Sequence, residues 1–123
     1  MKPALIVFGH GSRDLLWAET LEALRERLRV ALPDTEVDLA YLEFLQPTLA
    51  RCVGALWQRG CRDIAVLPAF VAEGAHLREE LPELVEQARS GREGLSISLL
   101  PAMGDLPEVQ EAVVRFVQGK FAR

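Results

Sequence analysis

The sequence is short of most features that mark specialised classes of protein. It has only two cysteines, Cys52 and Cys61, and they form no CxxC pair. Two thiols so placed do not make a disulfide framework, and nothing calls for an oxidising compartment. Positive charge is scarce: 14 Lys and Arg stand against 18 Asp and Glu, for a formal net charge of −4. That balance, with no clustered basic stretch, argues against a protein whose main task is holding nucleic-acid phosphates. No apolar run approaches the ~20 residues of a membrane span. The run Ala4-Leu5-Ile6-Val7-Phe8 is too short for the core of a secretory leader and meets Gly9-His10-Gly11 at once. The expectation is a cytoplasmic protein with no nucleic-acid and no membrane partner.

What is present is ordinary globular composition. Hydrophobic residues make up 50% and charged residues 26%, which excludes disordered, collagen-like and low-complexity chains. A chain of this length is expected to form one domain, residues 1–123, with a radius of gyration of roughly 14 Å. Such a domain closes one core but cannot surround a large flat ligand on both sides.

Four short apolar runs alternate with four amphipathic stretches. Ala4 to Phe8 reads as a strand buried on both faces. Asp14 to Leu32 reads as a helix with Trp17, Leu21, Leu24, Leu28 and Leu32 on its inner stripe, capped by Ser12 or Asp14 and ended by Pro33. Glu36 to Leu42 is a less apolar strand, suited to an edge. Pro47 is expected in the first turn of the next helix, which carries Leu49, Val53 and Leu56 and stops near Gly60. Asp63 to Leu67 is a third strand. A third helix is expected from about His76 to Arg89, or from near Pro82, where proline fits a helix start better than an interior. Leu95 to Leu100 is a fourth strand. A last helix from about Leu106 to Phe121 carries Val109, Val113, Phe116 and Val117. The order predicts a single three-layer α/β domain with a four-stranded parallel sheet covered on both faces. In such sheets ligands bind outside the carboxyl ends of the strands, so the strand-to-helix turns are where chemistry is expected.

The first of these turns is Gly9-His10-Gly11-Ser12-Arg13. Flanking glycines allow close backbone approach to a ligand, and Arg13 adds a fixed positive charge. The same turn reads equally well as a helix cap in which His10 fills space. Glu43 closes the second strand, and Gly74-Ala75-His76 follows the third; taken singly, each suits an ordinary surface or capping role. Together they carry more weight. Both histidines of the chain and one carboxylate lie just beyond the carboxyl ends of three strands, so in a parallel sheet all three emerge on one edge. Two imidazoles and a carboxylate suit a borderline divalent metal with open positions, and imidazole, titrating near ~6.5, also serves proton transfer. The turns around them are rich in apolar residues (Leu15, Leu16, Phe44, Leu45, Phe70, Val71, Met103), which suits a ligand groove or a partner surface. Arg13 and Arg78 are placed to meet anionic groups.

These residues resemble a known family. Gly-His-Gly-Ser-Arg at 9–13 after a buried strand, Glu43 four positions before Pro47, and Pro68-Ala69-Phe70, Gly74-Ala75-His76 and Leu81-Pro82 in order are similar to the small CbiX/SirB-type sirohydrochlorin chelatases. The resemblance implies the chelatase-like, flavodoxin-like half-fold and ATP-independent insertion of a divalent metal (Co2+, Fe2+ or Ni2+) into sirohydrochlorin. It implies His10 and His76 as metal-handling residues with Glu43 beside them, metal as a substrate and no nucleotide. Ser12, Arg13, Phe70, Arg78 and Met103 are expected along the substrate. Two-domain relatives resemble two such units face to face, so a homodimer with the cleft between protomers is expected. Glu80, where the family more often has Asp, and Ala69, where a larger residue is frequent, depart from the pattern. The absence of a Gly-x-x-x-x-Gly-Lys loop agrees with a nucleotide-free reaction. Two other readings stay open. One is a non-enzymatic metal or tetrapyrrole carrier on the same fold. The other is a histidine-phosphatase-like phosphoryl-transfer enzyme, against which stands Gly9 where an Arg-His-Gly motif has arginine.

Overall fold

The computed structural model describes residues 2–122. Its four strands are β1 (Ala4–Gly9), β2 (Glu36–Tyr41), β3 (Asp63–Pro68) and β4 (Ser96–Leu99), all parallel in the order β2-β1-β3-β4. The continuous apolar run of the first strand sits centrally, where both faces are covered: Ile6, Val7 and Phe8 are buried. The more polar β2 is an edge, as its composition predicts. Arg29 and Arg59 hold the two carboxylate oxygens of Asp38 at 3.0 and 2.9 Å, a charged rim that discourages strand addition.

The helices are α1 (Glu19–Ala31), α2 (Leu49–Gln58), α3 (Ala75–Arg89) and α4 (Pro107–Phe121). One sheet face carries α1, with Val7, Leu21, Val37, Leu39 and Tyr41 as its core. The other carries α2 and α3 over the larger core of Ile6, Phe8, Val53, Leu56, Ile64, Val66 and Leu81. In α2 the buried positions Leu49, Cys52, Val53 and Leu56 follow helical spacing. Burial pushes the Cys52 thiol up to about 12, and it also raises that of Cys61.

Two local expectations are corrected and, of the two starts expected for the third helix, the earlier one holds. The stretch before α1 is not α-helical: Leu15–Ala18 forms a 3-10 turn started by Asp14, whose carboxylate accepts the Leu16 N–H at 3.0 Å. Trp17 and Leu32 are consequently half out of the core, Trp17 leaning on Tyr41 and Leu32 lying past the helix end. Pro47 lies outside α2, after a cis Gln46–Pro47 bond, because Thr48 is the cap and accepts the Arg51 N–H at 3.3 Å. And α3 begins at Ala75, with Pro82 inside it. An interior proline costs about 3 kcal/mol. Burying Leu81, beside it, against the sheet offsets that cost.

The largest departure concerns the coverage of the sheet. The apolar stripe of α4 is not packed: no residue of this helix is buried, and Val113, Phe116 and Phe121 are 58%, 70% and 80% exposed. The helix packs on the 3-10 turn Met103–Asp105 that precedes it. On the α1 side, no helix among the described residues covers the half of the sheet formed by β3 and β4, leaving Ala65 and Leu67 half-buried and Ser96 and Ser98 exposed.

Candidate functional site

The turns after β1 and β2 are zipped together by the backbone. The Leu42 N–H donates to the Gly9 carbonyl at 2.9 Å and the Glu43 N–H to the His10 carbonyl at 3.1 Å, continuing the strand pairing past both strand ends. Gly11 makes this possible. It has φ +97, and a Cβ there would collide with the Glu43 carbonyl. The result is a His–carboxylate pair, His10 Nε2 to Glu43 Oε1 at 3.1 Å, with both side chains about half exposed (50% and 49%). An edge of the His10 ring rests on Phe70, centroids 6.1 Å apart.

The other expected residues divide. Ser12 is engaged locally, its hydroxyl accepting the Asp14 N–H at 3.0 Å. Arg13 lies over the Phe44 ring at 4.9 Å. Arg78 is exposed in the first turn of α3. Met103 lies with Val71, Gly104, Val109 and Val113 along an apolar groove of about 400 Å³ between the turn after β3 and the start of α4. Phe70, one of the apolar turn residues expected along the substrate, turns inward. It is 7% exposed, its ring tilted against Phe8 in the core, and it meets the site through the His10 ring. Leu45 also folds back, onto the α1-side core.

His76 follows β3 as the second residue of α3, so all three expected ligands lie beyond carboxyl ends of one parallel sheet. They do not gather into one set. His76 is 90% exposed and turns to its own helix, its Nε2 3.1 Å from Glu80 Oε2 one turn on. Among the described residues no three His, Cys, Asp or Glu side chains are close enough to hold a metal together. The edge instead carries two His–carboxylate pairs, His10–Glu43 from two loops and His76–Glu80 from one helix. Glu79 and Glu83 line the open pocket of about 300 Å³ beside the second pair. Sequence reasoning missed Glu80 as a partner, although its i,i+4 spacing from His76 is the signal for one. An imidazole nitrogen beside a carboxylate, open to solvent, can coordinate a divalent cation loosely and exchange protons.

Comparison with known proteins agrees with this edge. The CbiX family model matches residues 4–119. The sirohydrochlorin cobaltochelatase of Methanocaldococcus jannaschii is 33% identical over 82 residues, 67% of this chain and 57% of that protein. A crystal structure of a candidate cobalamin (vitamin B12) biosynthesis CbiX protein from Marinobacter aquaeolei VT8 superposes with a TM-score of 0.85 at 29% identity, covering 97% of each chain. The sirohydrochlorin chelatase SirB of Bacillus subtilis subspecies spizizenii, solved with cobalt, gives a TM-score of 0.81 at 28% identity over 97% of this chain and 51% of that one. The chain thus spans little more than half the length of the curated relatives it matches.

Proposed function

Because the chain belongs to the CbiX family, we propose that it inserts a divalent metal (cobalt, iron or nickel) into sirohydrochlorin without ATP. The observation that carries this reading is the half-exposed His10–Glu43 pair at the carboxyl edge of the sheet. Metallation replaces two pyrrole N–H protons by one M2+, so the site must release a metal and take up two protons in one place. His10 holds the incoming cation through a ring nitrogen and accepts a proton as the metal leaves; Glu43 orients the imidazole and takes part in the same exchange. His76 with Glu80 is the second such pair. Arg13 and Arg78 meet the carboxylates of the substrate rim, with Ser12 and Met103 beside it and Phe70 behind His10. No helix among the described residues is long and apolar enough to cross a membrane, and the two free, buried thiols suit a reducing cytoplasm.

The partner in this reading is a second copy. With 15 residues, α4 is about 22 Å long and about 10 Å across. Covering one side of it with the bare half-sheet of another copy removes roughly 400 Å² from each surface. Two reciprocal contacts then remove roughly 1,600 Å², the standard size of a stable interface. Leu15, Leu16 and Val71, at 74%, 69% and 86% exposure, add apolar surface on the same edge, where a macrocycle with two faces needs a second wall.

The test is turnover. Sirohydrochlorin, excess Co2+ and catalytic enzyme without nucleotide should show the absorbance change of metallation far above the uncatalysed background. Stoichiometric binding of metal or tetrapyrrole with no acceleration would make the chain a carrier instead.

A further inference from the structure

We propose that Phe44, which directly follows Glu43, is a substrate-positioning residue whose ring stacks on one face of the tetrapyrrole while Arg13 beside it takes a rim carboxylate. The inference rests on the function proposed above and extends it to a residue that the metal chemistry does not need. Its starting point is a backbone outlier. Among the described residues five have positive φ; four are glycines (Gly11, Gly60, Gly91 and Gly94) and the fifth is Phe44, at φ +69. The Leu45 N–H donates to the Glu43 carbonyl at 2.9 Å across it, closing a three-residue turn with its central residue in the strained hand. A bulky side chain is disfavoured there, and glycine would fit without penalty.

Packing does not explain the choice. The ring is 54% exposed and belongs to neither core cluster, unlike its neighbours Leu42 and Leu45, which pack inward. Strain retained at an exposed aromatic beside a reactive pair is the pattern of a ligand contact. The turn is also well fixed, because the Glu43 backbone on its near side is clamped to His10 and pressed against Gly11. The backbone that carries the ring is therefore held in place relative to His10 and Glu43. Arg13 lies 4.9 Å from the ring centroid and has no carboxylate within ion-pair distance among the described residues. An exposed aromatic ring with an available guanidinium over one of its faces fits a flat conjugated ring with carboxylates on its rim.

The experiment compares wild-type protein with Phe44→Gly and Phe44→Tyr. Three quantities are read: thermal melting, metal-free sirohydrochlorin binding by absorbance titration, and steady-state metallation with Co2+. The glycine variant should melt at or above the wild-type temperature, since it relieves the turn. It should bind sirohydrochlorin about tenfold more weakly and raise KM by a similar factor, with kcat within about twofold, because stacking acts on binding. The tyrosine variant should bind like wild type. A glycine variant with wild-type affinity overturns the proposal. So does one that loses affinity only together with its melting temperature, which would make the ring structural. Wild-type protein that neither binds nor metallates sirohydrochlorin overturns the proposed function itself, and this inference with it.

Discussion

Replacing Gly11 by alanine tests whether the backbone clamp builds the site. At φ +97 an L-residue sits in disfavoured space, at a cost of about 1–2 kcal/mol. The new Cβ would also strike the Glu43 carbonyl and lie 2.9 Å from its carbon, so the β1 and β2 turns must separate. Separation breaks the hydrogen bond from the Glu43 N–H to the His10 carbonyl, worth about 1 kcal/mol net. The total is about 2–3 kcal/mol. A domain of this size melts lower by about 3–6 °C for each kcal/mol, so the variant should lose about 10 °C yet stay folded at 25 °C. The same movement carries Glu43 away from His10 Nε2, now 3.1 Å apart. A misplacement of about 1 Å costs on the order of 10²-fold in rate. Circular dichroism melting and initial rates of Co2+ insertion measure both effects. Gly119→Ala is the control: nothing lies within 4 Å of an added Cβ, and alanine favours helix, so stability should hold or rise by up to about 1 kcal/mol. A Gly11→Ala protein that melts and turns over like wild type would refute the clamp.

Three further outcomes are expected. His10→Ala and His76→Ala should each lower the metallation rate by about 10²–10⁴-fold with an unchanged circular dichroism spectrum, and Glu43→Gln should lower it less; wild-type rates in both histidine variants would remove them from the chemistry. Stability should fall as pH rises from about 9 towards 12: the folded Cys52 thiol is raised from 9.0 to about 12 by burial, so the unfolded chain loses its proton first and the contribution is lost through that window. Urea midpoints at pH 8 and 10.5 should therefore diverge less in Cys52→Ala than in wild type, and equal divergence would deny the thiol this role. Finally, Phe116→Glu on the exposed face of α4 should shift sedimentation at micromolar concentration from dimer to monomer, and an unchanged dimer would place the interface elsewhere.

β1 and β3 were legible because a buried parallel strand is a bare apolar run, and Ala4 to Phe8 and Ile64 to Leu67 stand out as such between polar helices. The edge position of β2 was legible for the same reason in reverse, through Glu36 and Asp38. Helical periodicity located α4 to within a residue, but it reports only that a face is apolar, not what covers it. The bare stripe of Val113 and Phe116 could not be foreseen from spacing. At the site, strand ends placed His10, Glu43 and His76 on one edge. Their division into pairs depends on side-chain direction: His76 lies on a helix and finds Glu80 one turn away, whereas His10 lies on a loop and finds Glu43 across a strand pair. Phe70 reads in sequence as an exposed turn residue and folds inward. Nothing in the sequence signals a phenylalanine at positive φ.

The divided arrangement bears on how the proposed reaction proceeds. A closed set of two imidazoles and a carboxylate is the donor set of catalytic zinc sites, which keep their metal through many turnovers. A chelatase must give its metal away each time, and interactions that stabilise the bound metal more than the transfer state slow the step. Two open pairs, each able to contribute an imidazole and a carboxylate, hold a cation more weakly than one complete set. In the proposed reaction each pair would keep a proton acceptor beside the metal as it passes to the macrocycle, and two protons must leave for each metal that enters. The half-exposed His10–Glu43 pair and the His76–Glu80 pair, with its imidazole open to solvent, therefore suit transfer better than storage in the proposed reaction. On this argument, joining the pairs by a rigid third ligand would raise metal affinity and lower turnover together.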